Sequence, residues 1–339
     1  MVLMTKKVAK VKKVCIVGCG HISSKHAEAI VSLRDIKLCA ASDISKDKVI
    51  SFSDKYNCKP YLNYNDMFEV EKPDAVHICV PHYLHAEIAL TALNYGINII
   101  LEKPGALSVS DFDQMIDLQK RTGCFCTVMF QNRLNKSVIR AQEIVESEKY
   151  GKILGCSAML LWNRNTEYYL SSKWRSKQIQ AGGGVLITQA IHTIDLLRYI
   201  MGDIDSVKTM KGNIKHINLE VEDSFCAAIK FKNNIEGVIF TTVASPCNMP
   251  AEINIYFERA CLTISGVDLL LKYRENNAVI IKHVISGENA DICYGNGHHK
   301  FIEKFYRDIN CDKMELPTIE DAKKTFLVLE KLYGYCAQK

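Results

Sequence analysis

The sequence predicts an α/β protein in two parts: a doubly wound parallel sheet, then a second α/β domain built on antiparallel strands. Three observations carry this. In the first third, short apolar runs alternate with stretches of helical spacing, the pattern of a parallel sheet covered on both faces. A glycine-rich turn joins the first run to the first helix. After Gly151 the apolar runs follow one another directly, joined by turn residues such as Lys232-Asn233-Asn234, as in meanders.

The parallel strands are expected at Val14–Val17, Lys37–Ser42, Ala75–Val80, Ile97–Leu101 and Cys126–Phe130. Helices are expected near Ser24–Leu33 and Leu84–Asn94, the latter stopped by Gly96. Ser108 with Asp111 gives a capping-box signature before another. The second set of strands is expected at Lys152–Trp162, Ser206–Lys215, Asp223–Phe231, Ile235–Val243, Ala251–Phe257, Ala260–Ser265 and Ala278–Val284. Helices at about His299–Ile309 and Thr318–Tyr335 close the chain, Thr318 and Asp321 again fitting a capping box. The domain boundary is expected at 134/135, with a nucleotide-binding domain over 1–134 and a substrate and assembly domain over 135–339.

With 339 residues, 48% hydrophobic and 24% charged, the chain can bury a two-domain core. Five lysines lie in the first thirteen residues, at Lys6, Lys7, Lys10, Lys12 and Lys13, and account for the net charge of +5. They read as a solvated terminus, and no nucleic-acid motif accompanies them. No run is long enough to span a bilayer. The fourteen cysteines are scattered through apolar runs, without a Cys-x-x-Cys pair. They read as reduced small hydrophobes in a cytoplasmic protein. His298 and His299 are adjacent, with no thiol or carboxylate at ligand spacing, so no metal site is expected.

Gly18-Cys19-Gly20-His21-Ile22-Ser23 follows the first strand and opens the first helix. Gly18 permits a tight turn, Gly20 lets backbone approach a pyrophosphate, and His21 and Ile22 start the helix whose N-terminus meets the anion. Asp43 closes the second strand, where a carboxylate accepts from the adenosine ribose and repels a 2′-phosphate. The expectation is a Rossmann domain binding NAD rather than NADP.

Further motifs are Cys79-Val80-Pro81-His82-Tyr83-Leu84-His85 after the third strand, Leu101-Glu102-Lys103-Pro104 after the fourth, and Gly182-Gly183-Gly184-Val185-Leu186 before Ile191-His192-Thr193-Ile194-Asp195. Together, over nearly the whole chain, they resemble the glucose–fructose oxidoreductase and inositol dehydrogenase (Gfo/Idh/MocA) family. The resemblance implies a Rossmann domain followed by a large, open, mainly antiparallel sheet, with homodimers or homotetramers formed through that sheet. It implies cofactor contacts at Pro81, His82, His85, Glu102 and Lys103, and His192 facing Lys103 across the substrate.

Lys103 also has a case of its own. It stands at the carboxyl end of a parallel strand, where such sheets bind ligands, and a desolvated lysine there can share a substrate proton. His192 is expected on one helix, Ile187–Met201, where Thr188, His192 and Asp195 at i, i+4, i+7 share a face. The preceding glycine triplet would let a ligand approach. Many sugar dehydrogenases of the family carry aspartate four residues before the histidine; here Thr188, Gln189 and Ala190 stand in that stretch, a variant resembling enzymes of nucleotide-linked sugars, often acting at the 3-hydroxyl. Gln131, Asn132 and Arg133 are placed on the cofactor side. Arg164, Tyr168, Tyr169, Lys173, Trp174 and Arg175 either stack on and pair with a substrate or pack on the sheet. Tyr169, Arg175, Thr188, Gln189 and Asp195 are taken as substrate contacts, and Lys103 and His192 as the catalytic pair, with His192 the leading base. The expected activity is hydride transfer between NAD and a sugar hydroxyl carbon. A dehydrogenase of a free sugar, cyclitol or glycoside and a non-catalytic NAD sensor are the alternatives.

Overall fold

The computed structural model describes residues 12–276, 278–285, 297–309 and 314–334. The expected lysine terminus lies outside them apart from Lys12 and Lys13, which belong to the first strand.

Six strands form the first sheet: β1 (Lys12–Val17), β2 (Ile36–Ser42), β3 (Lys59–Tyr61), β4 (Ala75–Ile78), β5 (Asn98–Leu101) and β6 (Cys126–Val128). All pair in parallel, in the order β3-β2-β1-β4-β5-β6. This is the strand order of a dinucleotide-binding domain, with the order of strand addition reversing between the parallel neighbours β1 and β4. The strands are buried on both faces because helices cover both. One face carries Phe68, Leu93, Phe112 and Val128. The other carries Val14, Ile16 and Ile30 against Phe301 and Phe305 of the Gly297–Asp308 helix. A helix from the far end of the chain thus completes the N-terminal core.

The second sheet has eight strands: β7 (Ile153–Leu161), β8 (Ile204–Gly212), β9 (Ser224–Phe231), β10 (Glu236–Thr242), β11 (Glu252–Phe257), β12 (Ala260–Ser265), β13 (Asp268–Glu275) and β14 (Ala278–Ile285). Their order is β14-β13-β12-β11-β7-β10-β9-β8. Every neighbouring pair is antiparallel except β10 on β7. One face alternates inward and buries Ala158, Ile229, Ile239, Ile255, Leu262 and Leu271. The opposite face leaves Met210, Val238, Phe240, Tyr256 and Ile281 exposed.

Sequence periodicity missed β3, too short and polar to register, and β13, where Lys272 and Arg274 break the apolar run. The capping box at Thr318 and Asp321 is present. The single helix expected over Ile187–Met201 is two, Val185–Thr188 and Ile191–Met201, separated at Gln189-Ala190.

Candidate active site

The glycine turn is built as its sequence requires. Gly18 has φ +93°, and a Cβ there would lie 2.5 Å from the Cys79 carbonyl oxygen, so a side chain is excluded by both backbone angle and space. Gly20 caps the His21–Ser32 helix with no side-chain cap and no acidic residue in the first turn, leaving its N–H groups and dipole end to an anion. His21 and Ile22 form that turn. Ser23 takes the place of a third glycine; it is fully buried and donates to the Gly20 carbonyl. Asp43 stands against the turn, its carboxylate accepting from the backbone N–H groups of Cys19 and Ser45, both at 2.8 Å. The cradle, the open helix end and the carboxylate together fit NAD.

Beneath Glu102 runs a buried chain of hydrogen bonds. The Tyr306 hydroxyl meets His77 Nε2 at 2.6 Å, His77 Nδ1 meets His26 Nδ1 at 2.8 Å, and His26 Nε2 meets Glu102 Oε1 at 3.1 Å. One proton arrangement satisfies every group: Tyr306 donates to His77, His77 to His26, and His26 to the carboxylate. It agrees with the protonation each environment favours. Burial lowers both histidines and raises Tyr306. Burial would also raise Glu102, but hydrogen bonds from His26 and His298 hold it well below the usual range. An ionised carboxylate therefore sits at the end of β5, directly before Lys103.

The Lys103 ammonium reaches across to the second domain and donates to the Thr188 carbonyl at 2.6 Å. That carbonyl is at the break between the two short helices, four residues before His192. Burial lowers the Lys103 amine below the usual lysine value; Glu102 opposes this, while the charges of Arg175 and Arg164 add to it. His192 makes no hydrogen bond among the described residues, and its Nδ1 is buried without a partner. Burial, then the charge of Lys103, push its imidazole down to about 3. His192 lines a cavity with Asn132, Trp162, Gln189, Leu160 and Ile253. Gln189 donates to the Tyr168 hydroxyl at 2.9 Å, so Tyr168 borders the same space.

Several sequence expectations are corrected here. Asp195 lies one turn beyond His192, but its carboxylate is engaged in the interior: it is buried, takes a bidentate bond from Arg133 at 2.7 and 2.6 Å, and accepts from Thr325. That arrangement removes Asp195 from the substrate and Arg133 from the cofactor. Tyr169 is buried against His216, and its neighbour Tyr168 faces the site instead. The Thr188 hydroxyl turns inward to the Gly184 carbonyl, and the Thr188 carbonyl is the group that meets Lys103. His85 is fully buried between the carbonyl oxygens of Pro104 and Val80, so it joins two loops rather than touching a ligand. Gln131 is buried under Gly297. The glycine triplet serves packing: a Cβ on Gly183 would strike the Tyr333 hydroxyl, and one on Gly184 the Glu222 backbone. His82, beside Pro81, donates to Ala181 and lies 4.6 Å from the Trp174 ring, tying the two domains at the cofactor edge.

Comparison with known proteins decides the family. Residues 12–130 match the model of an oxidoreductase family with an NAD-binding Rossmann fold, and residues 138–263 match the GFO/IDH/MocA C-terminal domain. The chain belongs to the Gfo/Idh/MocA oxidoreductases. Its cofactor is NAD. This member is 27% identical to oxidoreductase P35 of Formosa agariphila, over 77% of this chain and 84% of that protein. It is 25% identical to the D-glucoside 3-dehydrogenase of Escherichia coli, over 93% and 92%. Its fold matches that of the WlbA dehydrogenase of Bordetella pertussis, solved with NADH and UDP-GlcNAcA, at a TM-score of 0.84, 24% identity and 97% coverage of both chains.

This Gfo/Idh/MocA member buries several histidines that charge reluctantly. His26, His77, His82 and His192 all have lowered pKa values, burial being the first cause in each. Below about pH 6.5 the unfolded chain takes up protons that the folded chain refuses, so stability falls as pH falls. The thermal midpoint is expected to drop steadily from about pH 7 to about pH 5, as scanning calorimetry would measure; a flat profile would contradict neutral buried imidazoles. Among the described residues, His26, Glu102 and His298 also bring ligand-type atoms within 4.8 Å of one another. Adjacent-residue spacing concealed this, because the three come from different elements.

Proposed function

We propose that this Gfo/Idh/MocA member oxidises or reduces a hydroxyl carbon of a sugar ring, with Lys103 and His192 as the pair that handles the proton. One observation carries the reading. An imidazole without a hydrogen bond and an amine with a lowered pKa converge where the parallel sheet's carboxyl edge meets the helix break, beside a cavity. NAD, when bound, supplies the hydride acceptor or donor.

The two groups divide the work differently from the sequence expectation. An imidazole at about 3 is a weak base at neutral pH, so His192 orients the reacting hydroxyl through a hydrogen bond. Lys103, shifted toward the working range, takes or returns the proton and stabilises developing oxyanion charge. Gln189 and the Thr188 carbonyl fix the amine and the sugar. Arg175, which donates to the Tyr168 carbonyl, completes the rim.

The finer reading is a nucleotide-linked sugar attacked at its 3-position. The name of the D-glucoside 3-dehydrogenase supports the position, and the UDP-GlcNAcA bound to the WlbA dehydrogenase, with the lack of an aspartate at Thr188, supports the nucleotide-linked sugar. The exposed apolar face of the second sheet supports assembly of two or four copies through it. The many unpaired thiols support a reducing cytoplasm.

The test is NADH formation with NAD and a panel of UDP-sugars, free sugars, glycosides and cyclitols. Turnover of at least one is expected, with UDP-sugars ahead. Firm NAD binding with no turnover across the panel would replace the enzyme by an NAD sensor.

A further inference from the structure

Two guanidinium groups near the cavity, those of Arg164 and Arg175, have no acidic partner among the described residues, and this bears on the substrate. Arg164 lies over the Trp162 ring at 4.8 Å and 5.3 Å from the Tyr168 ring. Trp162 is a wall of the His192 cavity, and the Tyr168 hydroxyl is held by Gln189. Arg164 donates only to the Asn163 carbonyl and to Asn248 Oδ1, at 2.7 and 3.3 Å. Arg175 lies 4.6 Å from the same Tyr168 ring and 5.5 Å from that of Trp174, which leans on His82. Arg175 therefore stands on the side of His82, and Arg164 on the side of the His192 cavity. Both are half-buried.

The carboxylates nearby are already engaged. Glu102 is held by His26 and His298. Glu222 accepts from the Gly184 and Leu186 N–H groups and the Tyr333 hydroxyl. Asp223 accepts from the N–H groups of Ile214, Lys215 and His216. Neither arginine forms an ion pair among the described residues. Lys103 is a third cation in the same space, and oxidised nicotinamide would add positive charge. A half-buried guanidinium in a low-dielectric rim is best satisfied by an oxyanion from the ligand.

Resting on the dehydrogenase reading, we propose that the substrate carries an oxyanion, a carboxylate or a phosphoryl group, and that Arg164 binds it and selects for it. The aromatic rings of Trp162 and Tyr168 hold the guanidinium beside the cavity that Trp162 lines. The group sits on the sugar side of the reacting carbon, away from the cofactor's own phosphates.

The test is titration calorimetry on the NAD-loaded protein, with glucuronate, glucose 6-phosphate, UDP-glucose and methyl glucoside as probes. At least one anionic probe is expected to bind at least about tenfold more tightly than methyl glucoside. Arg164→Gln should remove that advantage while leaving methyl glucoside and NAD affinities unchanged, and Arg164→Lys should restore part of it. The four probes separate a ring carboxylate, a sugar phosphate and a nucleotide pyrophosphate as the source. Equal binding of charged and neutral probes, or an anion preference that survives Arg164→Gln, overturns the inference. Because the readout is binding, its failure is distinct from that of the dehydrogenase reading, which fails only if no sugar is turned over.

Discussion

Lys103→Met is expected to lower kcat by a factor on the order of 10³, with NAD affinity within a few-fold of the native protein. Burial lowers the pKa of this amine, and among the nearby groups it is the one that reaches across to the helix break beside His192. Its other contact, the Thr188 carbonyl, carries no proton. His192→Ala is expected to lower kcat by about 10², and His192→Gln by less, because an amide can still orient a hydroxyl. The pH profile separates the roles. In the oxidising direction kcat should climb as pH passes through the lowered lysine pKa, and that limb should persist in His192→Gln. Turnover of Lys103→Met and His192→Ala both within a few-fold of native would remove the pair from the mechanism.

Asp195→Ala should destabilise the fold by about 3–5 kcal/mol while leaving kcat nearly intact at permissive temperature. Asp195 and Arg133 are both buried, and the pair is bidentate. Removing the carboxylate strands a guanidinium whose remaining acidic neighbour, Asp321, is 3.9 Å away. Thr325 loses its acceptor at the same time. Denaturant unfolding of the native and variant proteins measures the loss. A fall in kcat with unchanged stability would return Asp195 to the substrate.

The contrast between these residues shows what the sequence could convey. The parallel sheet, the nucleotide turn and the strand-end lysine were legible because each depends on local pattern: apolar runs, glycines at fixed offsets, and a motif after β5. Asp195 was misread because helical spacing gives a face but not what that face meets, and its partners Arg133 and Thr325 are remote in the chain. Tyr168 and Tyr169 are adjacent, and only the short Thr166–Leu170 helix decides which one points to the site. His26 was overlooked for a related reason. A histidine flanked by Ala27 and Ile30 looks like core, and its connection to Glu102 crosses 76 positions. The signal available was a polar residue on an apolar stripe of the helix that opens the nucleotide turn.

The Tyr306–His77–His26–Glu102 chain has an organisational consequence. Both the terminal hydroxyl and the second imidazole on the carboxylate, that of His298, come from the Gly297–Asp308 helix. A fragment cut after β6 would keep all six parallel strands and the nucleotide turn, yet would leave an ionised glutamate and two histidines in an interior stripped of Phe301 and Phe305. The nucleotide-binding half is thus completed only when a helix that begins at Gly297 has folded back over it.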